Sequence, residues 1–228
     1  MLKKLLILGI LGALCSLIGD FLLGWLVYPH ADNHYLAMLA SCEDLSYARL
    51  GLSVLFGGIG IPMQAFGFWS ISQLMHRSKD QKIIQAGSIS TATMGGAVHI
   101  LCVGLMLGMK MASQSGFEVL EATSLWDAIP ASLLQFCLWG MLPFTLVMML
   151  PYMMMAITMF MAILKQRTSL PRWMCILNPL MAKVLLNGVA ILSPNSYLSN
   201  ALGMANMALG GLIPFVGVYW YLKIKGEK

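Results

Sequence analysis

A few side chains able to do chemistry stand inside long apolar runs of this sequence. Asp20 interrupts the run from Leu5 to Val27, and His99 interrupts the run from Ile84 to Met109. Lys183 and Asn187 lie within Met174–Leu192, and Asn206 lies within Leu198–Leu222. Gln64, beside Pro62, and Gln135 add amides, and Arg49 adds a fixed cation where the second run begins. A carboxyl, an imidazole and an amine in apolar surroundings exchange protons, hold ions or pair with a ligand's charge. Asp20 has three candidate partners: Lys183, protonated His99 and Arg49. Lys183 and Asn187, four residues apart, share one face of a helix.

A second group is His30-Ala31-Asp32-Asn33-His34, followed by Cys42, Glu43 and Asp44. Two histidines four apart on a helix suit zinc or copper. No third ligand is fixed by spacing, and Pro29 favours a turn, so a solvated loop is the expectation and no metal or other cofactor is assigned. The methionines of the fourth run, from Met141 to Met161, could pass Cu(I), but they go all round the helix and read as apolar filling. There is no G-x-x-x-x-G-K-[ST], H-E-x-x-H or G-x-S-x-G.

The elements that must position these residues follow from composition. Of 228 residues, 59% are apolar and 10% charged; a soluble domain is nearer ~45–50% and ~25%. The chain is therefore read as an all-α integral membrane protein, one bundle of six transmembrane helices. A span needs ~20 apolar residues rising ~1.5 Å each across ~30 Å of hydrocarbon. The spans are residues 5–27, 50–75, 84–109, 132–164, 174–192 and 198–222. The fourth is overlong and carries Pro143 and Pro151, and is read as one kinked, tilted helix. Leu14 precedes Cys15 where a lipoprotein cleavage box needs a small residue, so the first run is read as a retained helix.

Basic residues alternate by loop. Lys3, Lys4, Arg77, Lys79, Lys82, Lys165, Arg167, Arg172, Lys223, Lys225 and Lys228 fall on one side, and only Arg49 and Lys110 on the other. The positive-inside rule then puts both termini in the cytoplasm. The net charge of +5 reflects this topology and is no argument for nucleic acid. The expected partners are membrane lipid and a small-molecule ligand. Asp20 lies sixteen residues beyond Lys4, ~24 Å along a helix, and His99 lies ~15 Å below Lys110; both belong to the outer half. Arg172 and Trp173 suit headgroups at the cytoplasmic edge.

Several phrases read together carry a resemblance: Gly19-Asp20; Arg49-Leu50; Pro62 and Gly67-Phe68-Trp69; Ala97-Val98-His99; Leu170-Pro171-Arg172-Trp173; Asn178-Pro179; and Asn206. Over nearly the whole chain the sequence resembles an uncharacterised family of bacterial multi-span proteins, a domain of unknown function. The resemblance implies a bacterial inner-membrane protein and supplies no reaction. Lys183 and the loop histidines stand outside those phrases.

The leading expectation is binding or transport of a small molecule or lipid through an outward-facing polar pocket. Asp20, Arg49, His99, Lys183, Asn187 and Asn206 are its candidate residues. One alternative is an intramembrane metal-dependent hydrolase or lipid-modifying enzyme that uses His30, His34 and His99. Another is a structural or accessory subunit whose polar residues only tie helices together.

Overall fold

The computed structural model describes residues 1–29, 34–122, 124, 126–192 and 195–226, apart from the side chains of residues 34, 190 and 191. Its elements are helical: α1 (Leu2–Gly24), α2 (His34–Ala40), α3 (Tyr47–Ser72), α4 (Ser78–Ser90), α5 (Gly96–Gln114), α6 (Ala131–Gln135), α7 (Leu142–Leu164), α8 (Pro179–Leu192), α9 (Tyr197–Met204) and α10 (Asn206–Ile224). A π-helical stretch, Thr91–Gly95, joins α4 to α5, and another, Phe136–Met141, joins α6 to α7. Both pairs are thus continuous rods.

Among the described residues, five helices are long and apolar enough to cross a membrane: Leu2–Gly24, Tyr47–Ser72, Ser78–Gln114, Ala131–Leu164 and Asn206–Ile224. The fourth expected span is indeed one helix. The fifth differs from expectation, because 174–192 is not one continuous helix. It begins in a 3-10 stretch, Arg172–Leu177, turns extended at Asn178, and continues as α8. Pro179 explains the break: it lacks an N–H and suits a first helical turn. Asn178 caps that turn by accepting from the Leu180 N–H at 2.9 Å. The 14 residues of α8 reach only about 21 Å. The sixth expected span is divided at Ala205 into α9 and α10.

Helix ends follow local chemistry. Ser46 caps α3 by accepting from the Arg49 N–H at 3.2 Å, and Ser196 caps α9 by accepting from the Ser199 N–H at 3.1 Å. Pro151 inside α7 cannot donate to the Val147 carbonyl one turn back. The Ser90 hydroxyl donates to that carbonyl instead, at 2.9 Å. A serine on a neighbouring helix thus satisfies what the proline left open.

The closest packing is between α1 and α3. A methyl group built on Gly9 would lie 2.5 Å from the Gly67 Cα, and one on Gly60 would lie 2.6 Å from the Gly12 carbonyl oxygen and the Ser16 nitrogen. Small residues let two backbones approach where lipid offers no hydrophobic drive for helices to associate. Gly19 meets Gly57 at the next level.

Buried apolar side chains form two cores. The first holds Leu6, Phe68, Ile84, Met155, Ile163 and Leu222, so side chains near both chain ends pack together. The second holds Leu23, Tyr28, Leu45, Leu50, Val103 and Met109. Between them along α1, α3 and α5 lie the buried polar side chains of Ser16, Asp20, Ser53, Gln64 and His99.

Candidate functional site

That intervening layer brings together Asp20 of α1, Ser53 of α3 and His99 of α5. They are 8%, 0% and 7% exposed, so the group is closed off from its surroundings. His99 Nδ1 lies 3.6 Å from Asp20 Oδ1, close for charges but too long for a direct hydrogen bond. On the other edge of the ring, Nε2 lies 3.1 Å from the Ser53 hydroxyl and 3.0 Å from the Ser53 carbonyl oxygen. Gly57 makes room: a methyl group there would fall on the imidazole.

One residue therefore offers a single ring nitrogen both a donor and an acceptor. With His99 positive, Nε2–H donates to the Ser53 carbonyl and Nδ1–H faces the Asp20 carboxylate. With His99 neutral and its proton on Nδ1, the Ser53 hydroxyl donates to Nε2. The ring can hold or release a proton without moving. The order Ser–His–Asp also resembles a nucleophile, base and orienter. Ser53, however, lies within the continuous helix α3, whose N–H groups serve the helix and leave no paired donors for an oxyanion. None of the cavities described here is lined by Asp20, Ser53 or His99.

Of Asp20's three candidate partners, the structure places His99 against it. Arg49 instead reaches the end of α1, donating from Nε to the Leu22 carbonyl at 2.8 Å and from Nη2 to the Trp25 carbonyl at 3.1 Å. A cation there complements the helix's negative end and its open carbonyls. Lys183 and Asn187 lie on the exposed side of α8 and do not join Asp20 and His99. Asn206, half-buried, donates to the Gly203 carbonyl at 2.9 Å across the α9–α10 break. Arg172 and Trp173 are exposed at the start of the 3-10 stretch.

Gln64 donates to the Ser16 hydroxyl at 2.9 Å, which in turn donates to the Gly12 carbonyl at 3.0 Å. Gln135 is exposed. His30 lies outside the described residues, as does the His34 side chain. Among the described residues, no three His, Cys, Asp or Glu side chains gather as metal ligands.

Sequence reasoning missed Ser53. Its one signal is position, four residues after Arg49 on the same helical face. Asn200 was also missed; its amide donates to the Leu26 carbonyl at 2.8 Å and so ties α9 to the end of α1.

Gly57 offers a test of the ring's placement. Gly57→Ala is expected to push the imidazole off Ser53 and Asp20 and to cost about 1–3 kcal/mol, as overpacking does. Nitrogen NMR of the histidine ring should then show a changed tautomer; an unchanged ring signal would contradict this geometry.

A model of a family described as a family of unknown function, DUF6796, matches residues 1–225. No curated protein and no solved structure gives a significant match.

Proposed function

We propose a function from the chain's own residues, since it belongs to the DUF6796 family, whose function is unknown. The chain is a six-pass protein of the bacterial inner membrane that binds or moves a small molecule or lipid in the outer half of the bundle. Asp20 and His99 are its proton-exchanging or ligand-pairing groups, with Ser53 as the residue that positions the ring. The observation that carries this reading is the double offer of Ser53 to His99 Nε2, hydroxyl and carbonyl, beside the Asp20 carboxyl. Ionisable groups within spans commonly mark pathways and proton relays.

Six crossings and two cytoplasmic termini are supported by three observations. The Asn178 amide donates to the Ala156 carbonyl of α7, while Asn195 exchanges hydrogen bonds with the Tyr28 backbone in the second core. The short α8, with the 3-10 stretch before it, thus links a level inside α7 to the level of Tyr28. Leu6 and Leu222 share the first core with Met75 and Leu170, which adjoin the basic loops; basic loops favour the cytoplasm.

The test is native mass spectrometry of the gently purified protein, with metal analysis of the same sample. A specific organic molecule should remain on the wild type and be lost in Asp20→Asn and His99→Ala at normal expression. Equal retention by both variants overturns the reading, and a stoichiometric metal would favour the hydrolase alternative. A purely structural role is favoured for Gln64, Asn178 and Asn200, whose polar atoms bond backbone carbonyls or a serine on a neighbouring segment.

A further inference from the structure

The largest cavity described here, about 410 Å³, opens on the flank of α1 and is lined by Leu17, Ile18, Phe21, Leu22, Trp25 and Arg49. Its wall is almost wholly apolar, and Arg49 is the one charged residue on it. Leu17 to Trp25 extends about 12 Å along the helix, with Arg49 and Trp25 at one end and aliphatic side chains below. That order matches one lipid molecule: a charged headgroup, the aromatic interface level, then acyl chain.

The charged end is held in place. Trp25 stacks between Phe21 and Tyr197, with ring centroids 6.2 and 6.0 Å away. Arg49 is fixed by the Leu22 and Trp25 carbonyls through Nε and Nη2. A guanidinium has five N–H donors, and those two bonds leave the others for an anion. Fixing the groups in advance lowers the ordering cost of binding.

We infer that this groove binds one membrane phospholipid with an anionic headgroup, its phosphate on Arg49 and an acyl chain along Leu17, Ile18 and Phe21. Charge selects the occupant: a zwitterionic lipid brings its own cation to the same place, whereas an anionic one leaves Arg49 uncontested. The inference goes beyond the proton-exchange reading and needs neither Asp20 nor His99.

The experiment reconstitutes the full chain in nanodiscs of phosphatidylcholine containing phosphatidylglycerol and counts lipids retained in native mass spectrometry. One phosphatidylglycerol should be kept with roughly tenfold preference, the fold-change of one charge-assisted hydrogen bond. Ile18→Trp fills the groove without touching the guanidinium and should abolish retention at unchanged thermal stability. Arg49→Lys should keep the preference in part, and Arg49→Gln should lose it. Equal retention of both lipids, or retention unaffected by Ile18→Trp, overturns the inference. This inference is scored on Ile18→Trp and Arg49→Gln and the Asp20–His99 reading on Asp20→Asn and His99→Ala, so failure of the one and failure of the other are separable.

Discussion

Arg167→Ala is expected to destabilise the folded protein by about 3–5 kcal/mol, the cost of removing one partner from a buried ion pair. Arg167 Nη1 lies 3.0 and 3.2 Å from the two oxygens of Asp80, and both side chains are largely buried. Asp80 is in the first turn of α4, while Arg167 follows α7, so the pair joins two rods at one end. The backbone reinforces it: the His76 N–H donates to the Arg167 carbonyl at 2.9 Å, and the Ser169 N–H to the Leu74 carbonyl at 3.3 Å. Alanine keeps those backbone bonds and removes only the guanidinium, leaving the Asp80 carboxylate buried without its counter-charge. Denaturation in detergent, followed by tryptophan fluorescence, measures the loss. Adding Asp80→Asn should recover most of it, since neighbours in one pair are not additive. A loss below about 1 kcal/mol, the range of an exposed pair, would mean that water reaches the pair.

Gly60→Ala is the second. Its methyl group would lie 2.6 Å from the Gly12 carbonyl oxygen and the Ser16 nitrogen, both backbone atoms of α1. Backbone cannot yield as a flexible side chain does, so α1 and α3 must separate, at about 1–3 kcal/mol or more. Separation would also strain the Gln64–Ser16 bond one turn away. Gly104→Ala is the control, since nothing lies within 4 Å of a methyl group there and alanine is the better helix former. It should be neutral or stabilising. Equal thermal stability of the two variants would remove the claim that this glycine contact holds the bundle.

The apolar runs and the common depth of Asp20 and His99 along the bundle could be read from the sequence, because rise per residue is fixed. Which side chains meet at that depth was less legible. Rotation about a helix axis is set by packing, and the π-helical stretch at Thr91–Gly95 shifts the phase of α5 relative to α4. Lys183 shows the limit: its place within an apolar run made it a candidate partner for Asp20, but it lies on the exposed side of α8. The helix break at Asn178 could have been inferred from Asn178-Pro179, a cap followed by a first-turn proline. The Asp80–Arg167 pair was hidden among charges read only for topology, although Asp80 is the one acid in the two internal basic loops.

The neighbours of α1 also set an order of assembly. Gly9 packs near Gly67 and Phe215, and Gly24 packs on Ala201. α1 thus finds one neighbour early in synthesis and the others only much later in the chain. At about 5–20 residues per second, the delay before Phe215 emerges is roughly ten seconds or more. During it, the flank of α1 that α9 and α10 cover in the folded protein has no partner to pack on it. Loss of α9 and α10 thus re-exposes a flank of α1 that was made long before them.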